Sequence, residues 1–122
     1  MASILIIEDS AEIRTLIRDI LKRDGHDIKE ATNGEEGVAQ FRENTIDLVM
    51  TDLFMPRKGG IETISDLQEI KPGVKIIAMT SHGSIENYDF LRVATALGAV
   101  RTIEKPFDIH TLKKLVAEVI SL

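Results

Sequence analysis

The sequence predicts an α/β fold, a (βα)5 doubly wound five-stranded parallel sheet with helices on both faces in a three-layer sandwich, on three observations. Short apolar runs rich in Ile and Val recur five times along the 122 residues. Longer stretches with apolar residues at helical spacing separate them. No low-complexity tract or Pro/Gly/Ser-rich linker interrupts this alternation, and the length suits a single core, so residues 1–122 are expected to be one domain.

The first strand is Ile4–Ile7. In the helix after it, Ile13, Leu16, Ile17, Ile20 and Leu21 form a continuous apolar stripe, with Ser10 placed to cap its start and Gly25 just past its end. The second strand, Asp27–Ala31, is the most polar and is therefore expected at an edge. A weakly patterned helix leads to the third strand, Leu48–Thr51, inside "IDLVMTDLFMP". Ile61, Ile64 and Leu67 mark a third helix, halted by "KPG". The fourth strand is Val74–Thr80, and a second weakly patterned helix precedes the fifth strand, Ala99–Ile103. Leu112, Leu115, Val116, Val119 and Ile120 define the last helix, after Asp108 as its cap. Right-handed crossovers would put these helices on both faces, and such folds carry their sites beyond the carboxyl ends of the strands.

Composition narrows the function. A net charge of -5 with fifteen scattered basic residues argues against nucleic acid as the main partner. The absence of cysteine excludes disulfides and thiolate metal sites and fits a reducing compartment. The start "MASILIIEDS" has no basic region and its apolar run ends at Glu8, so it reads as neither a signal peptide nor a membrane span, and a cytoplasmic protein is expected by elimination.

Glu8 and Asp9 follow the first strand, Asp52 the third and Lys105 the fifth, while Thr80 closes the fourth. Two like charges about 4 Å apart repel by roughly 4 kcal/mol at an effective dielectric near 20, so three clustered acids require a cation. An all-oxygen ligand set suits a hard divalent ion. Magnesium fits better than calcium, because it keeps waters and open positions that phosphate oxygens can take. Lys105 adds a positive charge and Thr80 a donor, which together suit a doubly charged phosphoryl group.

With the acidic pair in "ILIIEDS", the "DLFMP" run with Gly60 beyond it, then "AMTS" and "EKPF", in that order and at that spacing, the chain resembles the receiver domains of two-component response regulators over essentially its whole length. The resemblance implies a flavodoxin-like strand order 2-1-3-4-5. It implies that Asp52 is the phospho-acceptor, that Glu8, Asp9, Asp52 and the Phe54 carbonyl hold Mg2+, that Lys105 pairs with the phosphoryl group, that Thr80 is the switch hydroxyl, and that Lys105 and Pro106 are joined by a cis peptide. Ser81, beside Lys105 in the implied phosphoryl-binding set, is small enough to admit a donor histidine. The implied partners are a sensor histidine kinase or phosphotransfer protein and a downstream protein. The latter is expected on the face of the fourth helix, fifth strand and fifth helix, where Arg92, Arg101, Lys113 and Lys114 would meet acidic groups or remain solvated. The chain ends at Leu122 after its fifth helix, so a stand-alone receiver is expected, with a domain excised from something larger as the alternative, and either would catalyse only its own phosphorylation and slow dephosphorylation.

Each residue also has a plainer reading. Asp52 would start a turn, Glu8 and Asp9 would cap a helix, Thr80 would be an ordinary strand residue, Lys105 a surface charge and Gly60 a turn glycine. Their joint placement at neighbouring strand ends favours function. A phosphatase using a strand-end aspartyl phosphate would need a second acid where Phe54 stands, and a flavodoxin-type binder would need Gly, Ser or Thr donors where "EDSAEI" stands.

The chain departs from the family at Thr102, where a Tyr or Phe is usual, and in the length of "MTSHGSIENYDFLRVATALGA", which calls for an enlarged fourth helix or leading loop. Tyr88, Phe90 and Leu91 in that stretch are core residues or a partner surface. Phe54 and His82 flank the expected attack of water on an acyl phosphate, with His82 read as a solvated loop residue.

Overall fold

The computed structural model describes residues 2–54, 58–81 and 92–122, the side chain of Ser81 excepted. Its strands are β1 (Ser3–Ile7), β2 (Asp27–Ala31), β3 (Leu48–Asp52), β4 (Lys75–Ser81) and β5 (Arg101–Lys105). They form one parallel sheet in the order β2-β1-β3-β4-β5, as the resemblance implied. The helices are α1 (Ala11–Arg23), α2 (Gly34–Glu43), α3 (Gly60–Ile70), the helical residues 92–96, here α4, and α5 (Ile109–Ile120).

Period-two alternation in β1 divides the core into two layers. Ile4 and Ile6 pack with Ile17, Ile20 and Leu21 of α1 and Leu112, Val116 and Val119 of α5. Leu5 and Ile7 point the other way, into a second cluster that includes Phe41 of α2, Ile64 and Leu67 of α3, and Ala94 of α4. Helix starts follow from local chemistry. Ser10 Oγ accepts from the Ile13 N–H at 3.3 Å, Asn33 Oδ1 from the Glu36 N–H at 2.9 Å, and Asp108 Oδ1 from the Thr111 N–H at 2.7 Å, each satisfying a donor the helix leaves open. The polar β2 is the edge strand, and only its last residue, Ala31, is fully buried.

Two expectations need correction. The fifth strand begins at Arg101 rather than Ala99, because Gly98 adopts a φ of 115° and the Ala99 N–H returns to the Ala94 carbonyl at 3.0 Å, closing the preceding helix. Only from Val100, whose N–H donates to the Ile76 carbonyl at 2.8 Å, does the chain rejoin the sheet, and Lys105 is thus the last residue of β5. Leu16, placed in the buried stripe of α1, is 47% exposed.

Gly60 lets the start of α3 approach the end of β3 closely. Its N–H donates to the Leu53 carbonyl at 3.2 Å, and a Cβ there would overlap the Asp52 carbonyl and the Leu53 backbone. Gly60→Ala is therefore expected to lower stability by about 1–3 kcal/mol in urea unfolding, since neither obstacle is a flexible side-chain end. An unchanged midpoint would show that the backbone around Asp52 is free to shift.

Candidate functional site

The carboxyl ends of β1, β3, β4 and β5 deliver the polar residues to one place. The Glu8 N–H extends the β1–β2 ladder by donating to the Ala31 carbonyl at 3.0 Å, which fixes where β1 ends and sends the Glu8 side chain into a fully buried position. Asp52, the last residue of β3, is 4% exposed, whereas Asp9 is open to solvent. One oxygen from each of the three carboxylates lies within 4.8 Å of the others.

Lys105 enters from the end of β5 and ties the buried pair together. Its Nζ stands 2.6 Å from Glu8 Oε1 and 3.3 Å from Asp52 Oδ2. The second Glu8 oxygen accepts from the Ser10 N–H at 3.1 Å, and Asp52 Oδ1 accepts from the Phe54 N–H at 3.4 Å. Lys105 and Pro106 are joined by a cis peptide bond.

Burial dominates the electrostatics. Loss of water pushes Glu8 up to about 7, with the charge of Asp52 adding to the effect and the Lys105 hydrogen bond opposing it. Asp52 is raised for the same first reason, and Lys105 pulls it back. For Lys105 burial acts downward, yet the hydrogen bond to Glu8 and the charges of Asp52 and Glu8 outweigh it and leave the ammonium above its ordinary value.

Three oxygen ligands, two of them buried, against one ammonium form an excess of negative charge that fits a hard divalent ion. Thr80 points to a further occupant. It is fully buried at the end of β4, and among the described residues its Oγ1 is the buried side-chain polar atom without a hydrogen-bond partner. Such a donor is costly unless something arrives to accept from it.

Glu8, Asp9, Asp52, Thr80 and Lys105 thus all stand at the same end of the sheet. Ser81 pairs with Lys105 in the strand register. His82, Tyr88, Phe90 and Leu91 lie outside the described residues. The Phe54 side chain is 38% exposed. Thr102 is exposed on β5, as a plain β-branched strand residue would be. Of the basic residues considered for a partner face, Arg101 is engaged by Glu118 at 2.9 Å and Lys113 by Asp24 at 3.2 Å. Sequence reasoning passed over Arg14, which donates to the Glu8 carbonyl at 2.8 Å, because a helical arginine carries no spacing signal for a contact with a loop carbonyl.

The family model described as the response regulator receiver domain matches residues 4–117. The chain is 36% identical over 118 residues to the chemotaxis protein CheY of Halobacterium salinarum, covering 97% of this chain and 96% of that one. It is 29% identical to the sporulation initiation phosphotransferase F of Bacillus subtilis, covering 98% and 94%. Among solved structures, a response regulator receiver domain protein from Clostridium thermocellum superposes with a TM-score of 0.91 at 31% identity, covering 99% of this chain and 95% of that one.

A carboxyl raised in the fold holds its proton more tightly than in the unfolded chain, so the stability it contributes is present below its ordinary value of 4.5 and lost as pH rises to about 7. Without divalent ions, the unfolding free energy of the native protein is expected to fall relative to Glu8→Gln across that window by about 1–3 kcal/mol, measured by urea titration. A difference that stays flat with pH would contradict the assigned burial of Glu8.

Proposed function

Because the chain belongs to the response regulator receiver domain family, we propose that residues 1–122 act as a phosphoacceptor unit in which Asp52 takes a phosphoryl group from a phosphohistidine of a sensor histidine kinase or phosphotransfer protein. The observation that carries the reading is the Lys105 ammonium between buried Glu8 and buried Asp52. An Asp52 oxygen forms the new P–O bond as the P–N bond of the donor breaks, and the imidazole nitrogen keeps the electron pair. Burial raises the basicity of Asp52 and so its power as a nucleophile, while Lys105 offsets the repulsion between an anionic carboxylate and an anionic donor. Mg2+, held by Glu8, Asp9, Asp52 and the Phe54 carbonyl, would neutralise charge on the phosphoryl oxygens.

After transfer, the Thr80 hydroxyl donates to a phosphoryl oxygen and gains the partner it lacks in the unmodified protein. That movement alters the face of α4, β5 and α5, where a downstream protein reads the state. Water attack on the acyl phosphate returns Asp52, so the protein catalyses only its own phosphorylation and dephosphorylation. An apolar groove of about 330 Å3, lined by Ile13, Leu16, Lys105, Pro106 and Phe107, opens beside the site and supports approach of a donor protein there. A cytoplasmic address goes with this reading, in keeping with the cysteine-free composition.

Incubation with acetyl phosphate and Mg2+ is expected to give a single phosphoryl adduct by intact mass, lost on removal of Mg2+ and in Asp52→Asn. An adduct that persists in Asp52→Asn would refute the assignment. The apolar Phe54 side chain is expected to keep water from the acyl phosphate, so Phe54→Asn should lose its phosphoryl group several-fold faster. Equal decay of the two proteins would sink that role for Phe54.

A further inference from the structure

Asp9 is the weak point of the acidic cluster. Glu8 is held by Ser10 and Lys105 and Asp52 by Phe54 and Lys105, whereas Asp9 is exposed and nothing among the described residues hydrogen-bonds its carboxylate. Among the described residues, what bears on its direction acts through the backbone. The Glu8 carbonyl belongs to the same planar peptide unit as the Asp9 nitrogen, so anchoring that oxygen sets the plane from which the Asp9 side chain departs.

Arg14 supplies the anchor. One guanidinium nitrogen donates to the Glu8 carbonyl at 2.8 Å, while Nε donates to Glu30 Oε1 at 3.1 Å. Glu30, on the edge strand β2, is held in turn by Arg18 through its other oxygen at 3.3 Å. The Arg14 side chain is only 16% exposed, and its rigid fork meets two acceptors at once, which an ordinary solvated arginine does not do. The Glu8 N–H is meanwhile fastened to the Ala31 carbonyl on that same strand. Both peptide units flanking Glu8 are thus referenced to the β2 side of the molecule.

We propose that Arg14, seated by Glu30, is a positioning residue that aims Asp9 into the divalent-cation site by holding the Glu8–Asp9 peptide; this rests on the reading of the acidic cluster as a Mg2+ site. Charge alone predicts the opposite effect. Removing a cation near three carboxylates would strengthen binding of a divalent ion, whereas removing an anchor weakens it.

The test is calorimetric titration of Mg2+ into the metal-stripped, unphosphorylated full chain, with thermal unfolding of each protein followed in parallel. Arg14→Gln is expected to weaken Mg2+ binding about tenfold, in the range seen when groups supporting metal ligands are removed. Glu30→Gln should weaken it in the same direction, the double variant should lose less than the product of the two, and Arg14→Lys, which keeps the charge but reaches only one acceptor at a time, should recover part of the loss. Wild-type or tighter affinity in a folded Arg14→Gln overturns the proposal, as do fully multiplicative losses. Should Arg14→Gln fail to fold, an unaltered affinity in Glu30→Gln overturns it instead. A native protein that binds no Mg2+ defeats the metal reading itself and the inference with it, an outcome distinct from binding by the native chain that the variants leave unchanged.

Discussion

Two acids are buried at the ends of parallel strands because one ammonium lies between them, 2.6 Å from Glu8 and 3.3 Å from Asp52. Removing a carboxylate from water is unfavourable by several kcal/mol unless an opposite charge and hydrogen bonds replace the lost hydration. Lys105 does this for two carboxylates with a single charge and leaves the site short of positive charge once Asp9 is included. Glu8 is raised to about 7, first by its burial and then by the charge of Asp52, and holds its proton more tightly than a free carboxyl. A divalent ion would make up the missing charge without a proton.

The sheet makes this arrangement reproducible. In the order β2-β1-β3-β4-β5 the ends of β1 and β3 are neighbours, and β4 and β5 continue the row, so Glu8, Asp52 and Lys105 meet at one end of the sheet, the end at which Thr80 also stands. The floor is a dense apolar core in two layers, which resists the displacement of any strand end. On the opposite side Gly60 brings the start of α3 against the Asp52 carbonyl, an approach no side chain permits. The edge strand β2 sends no side chain among the three clustered acids, yet through Glu30 and Arg14 it is connected to the loop that carries two of them.

Much of this was legible in the sequence, because parallel strands and amphipathic helices leave periodic signatures and the carboxyl-end rule turns strand positions into site positions. The polar composition of Asp27–Ala31 announced an edge, and Ser10 and Asp108 announced two helix starts. Less legible was anything decided by one φ angle or one long-range contact. Gly98 delays β5 by a turn that apolar Ala99 and Val100 conceal. Leu16 has the right spacing for the core but lines the open groove beside Lys105 instead, and periodicity cannot say where an apolar stripe overhangs its sheet. Arg14 meets Glu30 across sixteen residues and two elements, a contact that spacing along α1 does not foretell.

Thr80 carries the remaining cost of the unmodified state. A buried hydroxyl without an acceptor destabilises by roughly 1–3 kcal/mol, and under the proposed function an oxygen delivered onto Asp52 would remove that penalty by accepting from it. A signalling equilibrium needs such a term, because a covalent mark shifts a population only through contacts that differ between the two states. Position 102 carries a threonine exposed on β5, so no ring at that position can link Thr80 to the outer face. Under the proposed function the strand itself offers a route, since Thr80 is paired in register with Glu104, immediately before Lys105.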